Sequence, residues 1–388
     1  MRLLLLVLLG AAACRSRPLY QAPTGGTPEQ TYRMRLADGE RIAEEDRALW
    51  QVEVASAALW VGDDAGAFRA LDDASRVMGT LESSAAENRR AILGQEATKT
   101  WKGDPHERCM AALYKGLLYW RAGDLDNASA CFKAGLLADA WSADGEAQED
   151  FAALSFLLGW VSALRGKDEQ ARFSFLEAAR NCPRNPYLED PRPMEDNVLV
   201  VADIGRGPKK YAEGVGDNLV RFARCPHPEH GIEVIVDGRP MGRSAPAADL
   251  FHQAITRGEK VLDGIRKGKA VFKGGTYVGG VILINEGLRR DKGEMVAVGA
   301  GLLLLSALTQ AQADTRHWSS LPAEIHVLPL RIPPGRRRIE VRALDADGRP
   351  FPGWSRTFDV NVPDGPGTLY WFKTGPGRTI SGLAGPTE

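Results

Sequence analysis

Residues 112–124 read ALYKGLLYWRAGD, and a related stretch, LLGWVSALRGKD, occupies residues 157–168. The two stretches align at a constant offset of 43 residues, and the match continues past the letters quoted. In both copies apolar residues recur at the spacing of one helix face. The sequence therefore predicts a repeated helical unit, whose matched pairs are Gly116 with Gly159, Gly123 with Gly166, Ala128 with Ala171 and Phe132 with Phe175.

This unit resembles the tetratricopeptide repeat, a helix–turn–helix of about 34 residues. The resemblance implies that Gly116 and Gly159 let two helices approach closely, and that Gly123 and Gly166 form the turns between helices. It implies that the paired alanines and phenylalanines fill the space between layers, with Tyr119 in the same core. The about nine extra residues fit a longer loop near residues 141–145. A third, weaker copy spans 55–71, and an unrelated α-helical bundle is the alternative.

The composition changes after residue 186, and short runs typical of strands follow. The run at 231–236 alternates with period two and ends in Asp237-Gly238, a strong hairpin signal. Further runs lie at 197–202, 325–330, 338–343, 357–362 and 367–372. The sequence therefore predicts an α+β multidomain fold: a tetratricopeptide-like (TPR-like) α-helical solenoid over 32–186, a β-rich, sandwich-like domain over 195–375, and a flexible tail over 376–388.

A hydrophobic helical insertion is predicted inside the β-rich domain, at about residues 249–313. Its most apolar part, MVAVGAGLLLLSALTQAQA at 295–313, carries no charged side chain. Its length is marginal for a membrane span, so we expect a buried helix. Self-association or membrane contact through residues 295–308 is the alternative, because Gly299 and Gly301 permit close helix contact.

The N-terminus reads MRLLLLVLLGAAACRSR, a short apolar run followed by small residues and a cysteine. This pattern resembles a bacterial lipoprotein signal, which implies removal of residues 1–13 and acylation of Cys14, followed by a flexible linker over 14–31. An ordinary secretory signal is the alternative. An aspartate directly after the cysteine would favour retention in the inner membrane. Arg15 occupies this position, so we expect the protein to be anchored in the outer membrane and to face the periplasm.

Composition narrows the class of function. The 388 residues carry 49 Lys and Arg against 50 Asp and Glu, a formal net charge of -1. No basic field steers the chain to nucleic acid. The sequence contains no nucleophile elbow, zincin motif or dinucleotide fingerprint, so we expect neither an enzyme nor a cofactor. Four cysteines besides Cys14 are too few and scattered for a disulfide scaffold.

Three short segments carry clustered polar residues. CPHPEH at 225–230 holds four potential metal ligands, but its prolines and the lack of a second cluster favour a polar loop and no metal. GRGPKK at 205–210 suggests an anion cradle, although a bend is the better interpretation. In DTRHW at 314–318, Asp314, Arg316, His317 and Trp318 form either a structural Asp–Arg pair with Trp318 sealing the core, or a recognition site for a glycan or peptide.

The segment D-T-R-x-W-x-x-L-P at 314–322 is similar to one in a poorly characterised family of bacterial tetratricopeptide-like lipoproteins. The resemblance also covers the cysteine signal and the helical repeats, and it implies no reaction. We therefore expect a lipid-anchored cell-envelope protein that binds or scaffolds other envelope proteins. An enzyme acting on cell-wall polymer through residues 314–318, or a homo-oligomeric membrane-associated assembly through residues 295–308, is the alternative.

Overall fold

The computed structural model describes residues 19–79, 99–140, 150–213, 219–258, 289, 313–375 and 378–384. Cys14 and residues 295–312 of the apolar run lie outside the described residues. An α-helical region precedes a strand-rich region along the chain, so the α+β content is as predicted. The helices are α1 (Pro28–Ala37), α2 (Arg47–Val61), α3 (Asp64–Met78), α4 (Pro105–Arg121), α5 (Leu125–Ala140), α6 (Ala152–Leu164), α7 (Asp168–Asn181) and α8 (Leu250–Gln253).

Helices α2 to α7 form three successive antiparallel pairs. The turns contain Gly62, Gly123 and Gly166, whose φ angles of 79°, 78° and 68° favour glycine because a Cβ is unfavourable there. The weaker third copy of the repeat therefore turns in the same way as the two clear copies. Consecutive pairs pack through α3 against α4 and through α5 against α6.

The strands form two larger sheets and one hairpin. The central sheet has the order β11-β10-β1-β7-β6, the outer sheet has the order β5-β4-β8-β9, and β2 pairs with β3. Only β1 and β10 run parallel among these described pairs. The strands are β1 (Val198–Ile204), β2 (Lys209–Glu213), β3 (Leu219–Ala223), β4 (Gly231–Val236), β5 (Arg239–Arg243), β6 (Ala245–Asp249), β7 (Glu324–Leu330), β8 (Gly335–Leu344), β9 (Pro350–Val362), β10 (Thr368–Gly375) and β11 (Thr379–Ala384).

The central sheet is buried on both faces, which explains its nearly continuous apolar strands. In β1, Leu199 and Val201 belong to the core shared with the helices, whereas Val200 and Ala202 belong to the core shared with the outer sheet. This division follows from the alternation of side chains along a strand. The molecule is thus layered as helices, central sheet and outer sheet, and the helices and central sheet share one continuous core.

Two segments predicted to be flexible contain regular secondary structure. Residues 379–384 of the predicted tail form β11, which pairs with β10 and buries Ile380 in the core between the sheets. At the other end, the predicted linker over 14–31 contains the start of α1, where the Thr27 side chain accepts a hydrogen bond from the Gln30 amide. A proline at the first position of α1 and this cap suffice to begin a helix.

Of the predicted helical insertion over 249–313, the structure describes residues 249–258, 289 and 313, and these contain no long apolar helix. The Asp249 side chain caps α8 by accepting hydrogen bonds from the Phe251 and His252 amides. A π-helical turn, Ala254–Gly258, follows. Ala254 and Ala313, at the two ends of the insertion, lie in one small cluster with Val220 and Phe222 of β3. Two described residues near the two ends of the insertion therefore lie close together.

Candidate functional site

The loop at residues 313–323 lies between the helices and the central sheet, and Arg316 anchors it. The Arg316 guanidinium pairs with Asp314, at 2.7 Å, and with Asp46 Oδ1, also at 2.7 Å. It also donates to the carbonyl oxygens of Glu45, at 3.1 Å, and Lys99, at 2.8 Å. Arg316 is 2% exposed. Buried charges of this kind must be fully paired, and here the planar guanidinium joins the loop to two other segments.

Trp318 continues the same anchor two residues later. Its backbone amide donates to Glu107 Oε1 at 2.5 Å, and its indole Nε1 donates to Ser56 Oγ at 2.8 Å. The ring stands edge-on to Tyr114 with a centroid distance of 5.8 Å. His317, between these anchors, is largely buried, and burial lowers its pKa below the ordinary histidine value. Trp318 therefore seals the core between α2 and α4.

A second buried carboxylate holds the end of the loop. Glu53 Oε1 accepts hydrogen bonds from the Ser319 amide, at 2.6 Å, and from the Ser319 hydroxyl, at 2.7 Å. Arg35 pairs with Glu53 Oε2 at 2.9 Å and donates to the Ser320 hydroxyl at 2.8 Å. These contacts connect α1, α2 and the loop through the buried side chains of Arg35 and Glu53.

The first turn of α4 adds a cluster of buried ionisable groups. Lys210 on β2 pairs with Asp104 at 2.7 Å. Burial acts to raise the pKa of Asp104, but the charge and hydrogen bond of Lys210, together with the charge of His106, outweigh burial and leave this pKa below its usual range. Burial raises the pKa of Glu107 to about 8 and lowers the pKa of His106 to about 4. The cluster consequently combines ion pairs with groups whose neutral forms are favoured.

The predicted recognition residues thus point into the protein. Arg316 and Trp318 have partners on other parts of the chain, Asp314 pairs with Arg316 within the loop, and His317 is largely buried. This geometry favours the structural interpretation, in which the Asp–Arg pair and Trp318 hold the loop on the helices. It gives no support to glycan recognition or polymer cleavage by the same side chains.

A third buried charge pair connects α4 to the central sheet. Tyr114 donates a hydrogen bond to Asp203 Oδ2 at 2.5 Å, and Trp371 Nε1 donates to Asp203 Oδ1 at 3.0 Å. Lys373 on β10 also pairs with Asp203, and its ammonium lies 4.6 Å from the centroid of the Tyr114 ring. The repeat stretch that the sequence singled out is therefore attached to the sheet by polar as well as apolar contacts.

The predicted repeat-core residues lie between paired helices. A Cβ on Gly116 would lie 2.3 Å from Phe132, and a Cβ on Gly159 would lie 2.7 Å from Phe175. In each pair, therefore, the phenylalanine of the second helix lies directly on the glycine of the first. Ala128 and Ala171 are buried on the second helices, and Tyr119 contacts Phe68 of α3 edge-on at 5.0 Å.

The first helices of these pairs do not offer an open surface. Leu117 of α4 and Trp160 of α6 are buried in the same core as Leu199 and Trp371 of the central sheet. Trp120 Nε1 donates to the Gly367 carbonyl oxygen at 2.8 Å. Stacked helix pairs commonly bind partners on their concave face. In this protein, strands of the central sheet cover the first helices α4 and α6 instead.

Helix α7 offers an open surface instead. A groove of about 360 Å³ lies between α7 and the segment 188–193, and its lining includes Arg172, Phe175 and Leu176. Leu176 is 63% exposed, and Phe173 beside it is 65% exposed. Exposed large apolar side chains next to one another indicate a contact surface more often than scattered ones do.

The two other polar segments hold loops in place. His227 Nδ1 lies 2.7 Å from the Glu229 carbonyl oxygen, and the His227 and His230 rings are 5.3 Å apart. Within the described part of the chain, no three His, Cys, Asp or Glu side chains are grouped to hold a metal ion. In the glycine-rich segment, the Gly205 amide donates to the Thr374 hydroxyl and the Gly207 amide donates to the Leu321 carbonyl. These amides are not available to an anion, which agrees with the expected bend.

Comparison with known proteins adds little to this geometry. No protein-family model matches the chain, and no curated protein matches it. A crystal structure of MamA protein is similar to part of it, with 14% sequence identity over 41% of this chain and 66% of that chain, and a TM-score of 0.28. This chain thus spans just under two thirds of that structure. Across the described ranges, no helix has the length and hydropathy needed to cross a membrane.

Proposed function

We propose that the protein is a lipid-anchored scaffold of the cell envelope, without catalytic activity, that binds a partner protein through α7. The anchor is Cys14, from its position after an apolar run and small residues. The observation that carries the binding role is the groove beside α7, which Leu176 lines, and the exposure of Leu176 and of Phe173 on the same helix. Localisation to the outer membrane, facing the periplasm, accompanies this proposal.

The repeat offset supports a helix as the occupant of the groove. Arg172 and Ala179 of α7 align, at the offset of 43, with Ser129 and Leu136 of α5. Ser129 and Leu136 are buried on α5, the helix that packs against α6. On α7 the matching residues, Arg172 and Ala179, line the groove, and the segment 188–193 forms its other wall. The groove therefore lies where a following helix would pack.

The lining of the groove indicates the chemistry of that helix. Leu176 and Leu188 offer an apolar floor, while Asp168, Arg172 and Glu189 place both signs of charge around it. An amphipathic helix of a partner protein, with its apolar face in the groove and mixed charges at the rim, fits this pattern. Pro191 and Pro193 give the opposite wall a fixed shape.

Site-specific photo-crosslinking in intact cells tests the binding surface. A photoreactive residue at position 176 is expected to capture one defined protein, whereas the same residue at 137 on α5 captures none. Leu137 is the matched control because it is also an exposed leucine on a second helix. A helical peptide from the captured protein should then bind the purified chain, with a loss of about tenfold or more in L176E and none in L137E. Equal binding by both variants would contradict the proposal.

The anchor is tested separately by metabolic labelling with a fatty acid. Wild-type protein is expected to incorporate the label, and Cys14→Ser is expected to lose it and to accumulate unprocessed. A wild-type protein without label would refute the lipid anchor and leave plain secretion. This outcome would not affect the groove, which the crosslinking experiment tests independently.

A further inference from the structure

A cleft at the far end of α2 has no part in the proposed function. It lies between the last turn of α2, the first turn of α1, and strands β9 and β11, and its volume is about 490 Å³. This volume is within the range of about 300–1,000 Å³ for small-ligand sites. The lining includes Trp60, Arg356, Arg378 and Ser381.

The Ser381 hydroxyl is the first indication of a ligand. Ser381 is 6% exposed, and its Oγ has no hydrogen-bond partner among the described residues. Buried hydroxyl groups are nearly always hydrogen-bonded, and an unpaired one lining a cleft is a site for an incoming donor or acceptor. Ile380, its neighbour, points into the core between the two sheets, so Ser381 lies on the opposite face, toward α2.

Arg378 is the second indication. Its φ angle of 58° is in the left-handed region, where a residue other than glycine is disfavoured by about 1–2 kcal/mol. The residue lies immediately before β11 and lines the cleft, and no described residue forms an ion pair with it. The backbone conformation at this position favours glycine. We therefore attribute the presence of an arginine to its guanidinium group and not to the turn.

Two further side chains shape the cleft. Arg356 donates to the Ile380 carbonyl oxygen at 3.0 Å, and its guanidinium lies 5.1 Å from the centroid of the Phe358 ring, which fixes its position. Trp60 packs closely against the end of β10, because a Cβ on Gly375 would be 2.0 Å from the indole ring. The cleft thus combines two guanidinium groups, an aromatic wall and an unpaired hydroxyl.

We propose that this cleft binds a saccharide that carries a carboxylate. Guanidinium groups bind carboxylates with charge-assisted, often bidentate hydrogen bonds. Indole rings pack against the apolar faces of sugar rings, and hydroxyl groups such as that of Ser381 pair with sugar hydroxyls. Glu29, on the rim, offers an acceptor for a further sugar hydroxyl and disfavours ligands that carry only negative charge.

Paired sugars that differ in a carboxylate test the proposal by calorimetry and ligand-observed NMR on the purified full chain. N-acetylmuramic acid is compared with N-acetylglucosamine, which lacks the lactyl carboxylate, and glucuronic acid is compared with glucose. We expect the acidic member of at least one pair to bind about tenfold more tightly or better than its neutral partner. The pair that responds distinguishes a cell-wall glycan from a uronic-acid polysaccharide. Equal binding within both pairs, absence of binding, or equally tight binding of inorganic phosphate would overturn the proposal.

Arg378→Gly provides the decisive variant, because glycine suits the left-handed backbone. The variant is expected to keep or raise thermal stability while losing acidic-sugar affinity about tenfold or more. Arg336→Ala, at an exposed arginine of β8 outside the cleft, is the matched control and should bind normally. Unchanged affinity in Arg378→Gly would refute the site. Crosslinking from position 176 should be unaffected, so this proposal and the partner-binding proposal fail separately.

Discussion

Arg316 is the residue whose replacement should damage the fold most specifically. In Arg316→Met the apolar stem is retained while the guanidinium is lost, which leaves Asp46 and Asp314 without their cation and two carbonyl oxygens without a donor. Removing one partner of a buried ion pair costs about 3–5 kcal/mol. We expect the free energy of unfolding of the purified chain to fall by about that amount in urea denaturation, with an unchanged dependence on urea concentration.

The control is Arg76→Met on α3, an arginine that also pairs with two aspartates, Asp72 and Asp73. Its side chain is 72% exposed, whereas that of Arg316 is 1% exposed. An exposed pair contributes about 0–1 kcal/mol, so the control should be nearly neutral. Adding Asp314→Asn to Arg316→Met should recover part of the loss by removing one unpaired charge. If Arg316→Met were as mild as Arg76→Met, the interpretation of Arg316 as a buried anchor would be refuted.

Three further predictions concern other parts of the core. Gly116→Ala should lower stability by about 1–3 kcal/mol in chemical denaturation, because its Cβ would overlap buried Phe132, and Phe132→Leu in the same chain should recover part of the loss. Lys373→Met should lower the free energy of unfolding by about 3–5 kcal/mol, because the buried Asp203 would lose its cation. Adding Asp203→Asn should restore part of this free energy. The folded-state pKa of Glu107 is raised from 4.5 to about 8. The free energy of unfolding should therefore fall as pH rises toward 8, by up to about 1.4 kcal/mol per pH unit. The pKa values of His106 and His317 are lowered, and these residues therefore act in the opposite direction below pH 6.5. Unfolding measurements at pH 6.5 and pH 8 should therefore show a decrease that Glu107→Gln removes.

The sequence predicts those elements whose signals are local. The helix pairs follow from the 43-residue offset, and the turn glycines at 123 and 166 adopt the left-handed conformation. The hairpin after β4 follows from Asp237-Gly238, both of which have positive φ angles. Strands β1, β4, β7, β8, β9 and β10 each cover one of the predicted apolar runs to within one residue. In these elements, periodicity and turn chemistry favour the same structure.

The remaining elements depend on partners distant in sequence. Strand β5, with the sequence RPMGR, has no alternating pattern, and its pairing with β4 defines it as a strand. The ion pair between Asp203 and Lys373 joins residues separated by 170 positions, so no local sequence pattern predicts it. The sequence does not predict the cleft for the same reason: Trp60 and Arg378 lie far apart in the chain, and the unpaired Ser381 hydroxyl and the φ angle of Arg378 mark the site only in the structure.

The layered fold changes which surface of the helical repeats can serve a partner. Stacked helix pairs of this kind bind peptides or proteins on an extended concave surface, but here α4 and α6 share their core with the central sheet. The surfaces of the helix pairs that the sheet leaves uncovered are therefore those of the second helices and of the last pair. Those are the places where Leu137, Phe173 and Leu176 remain exposed, and of these only α7 also borders a groove. The sheet thus covers the face of the helix pairs on which such stacks commonly bind, and this is why the proposed function places the partner at α7.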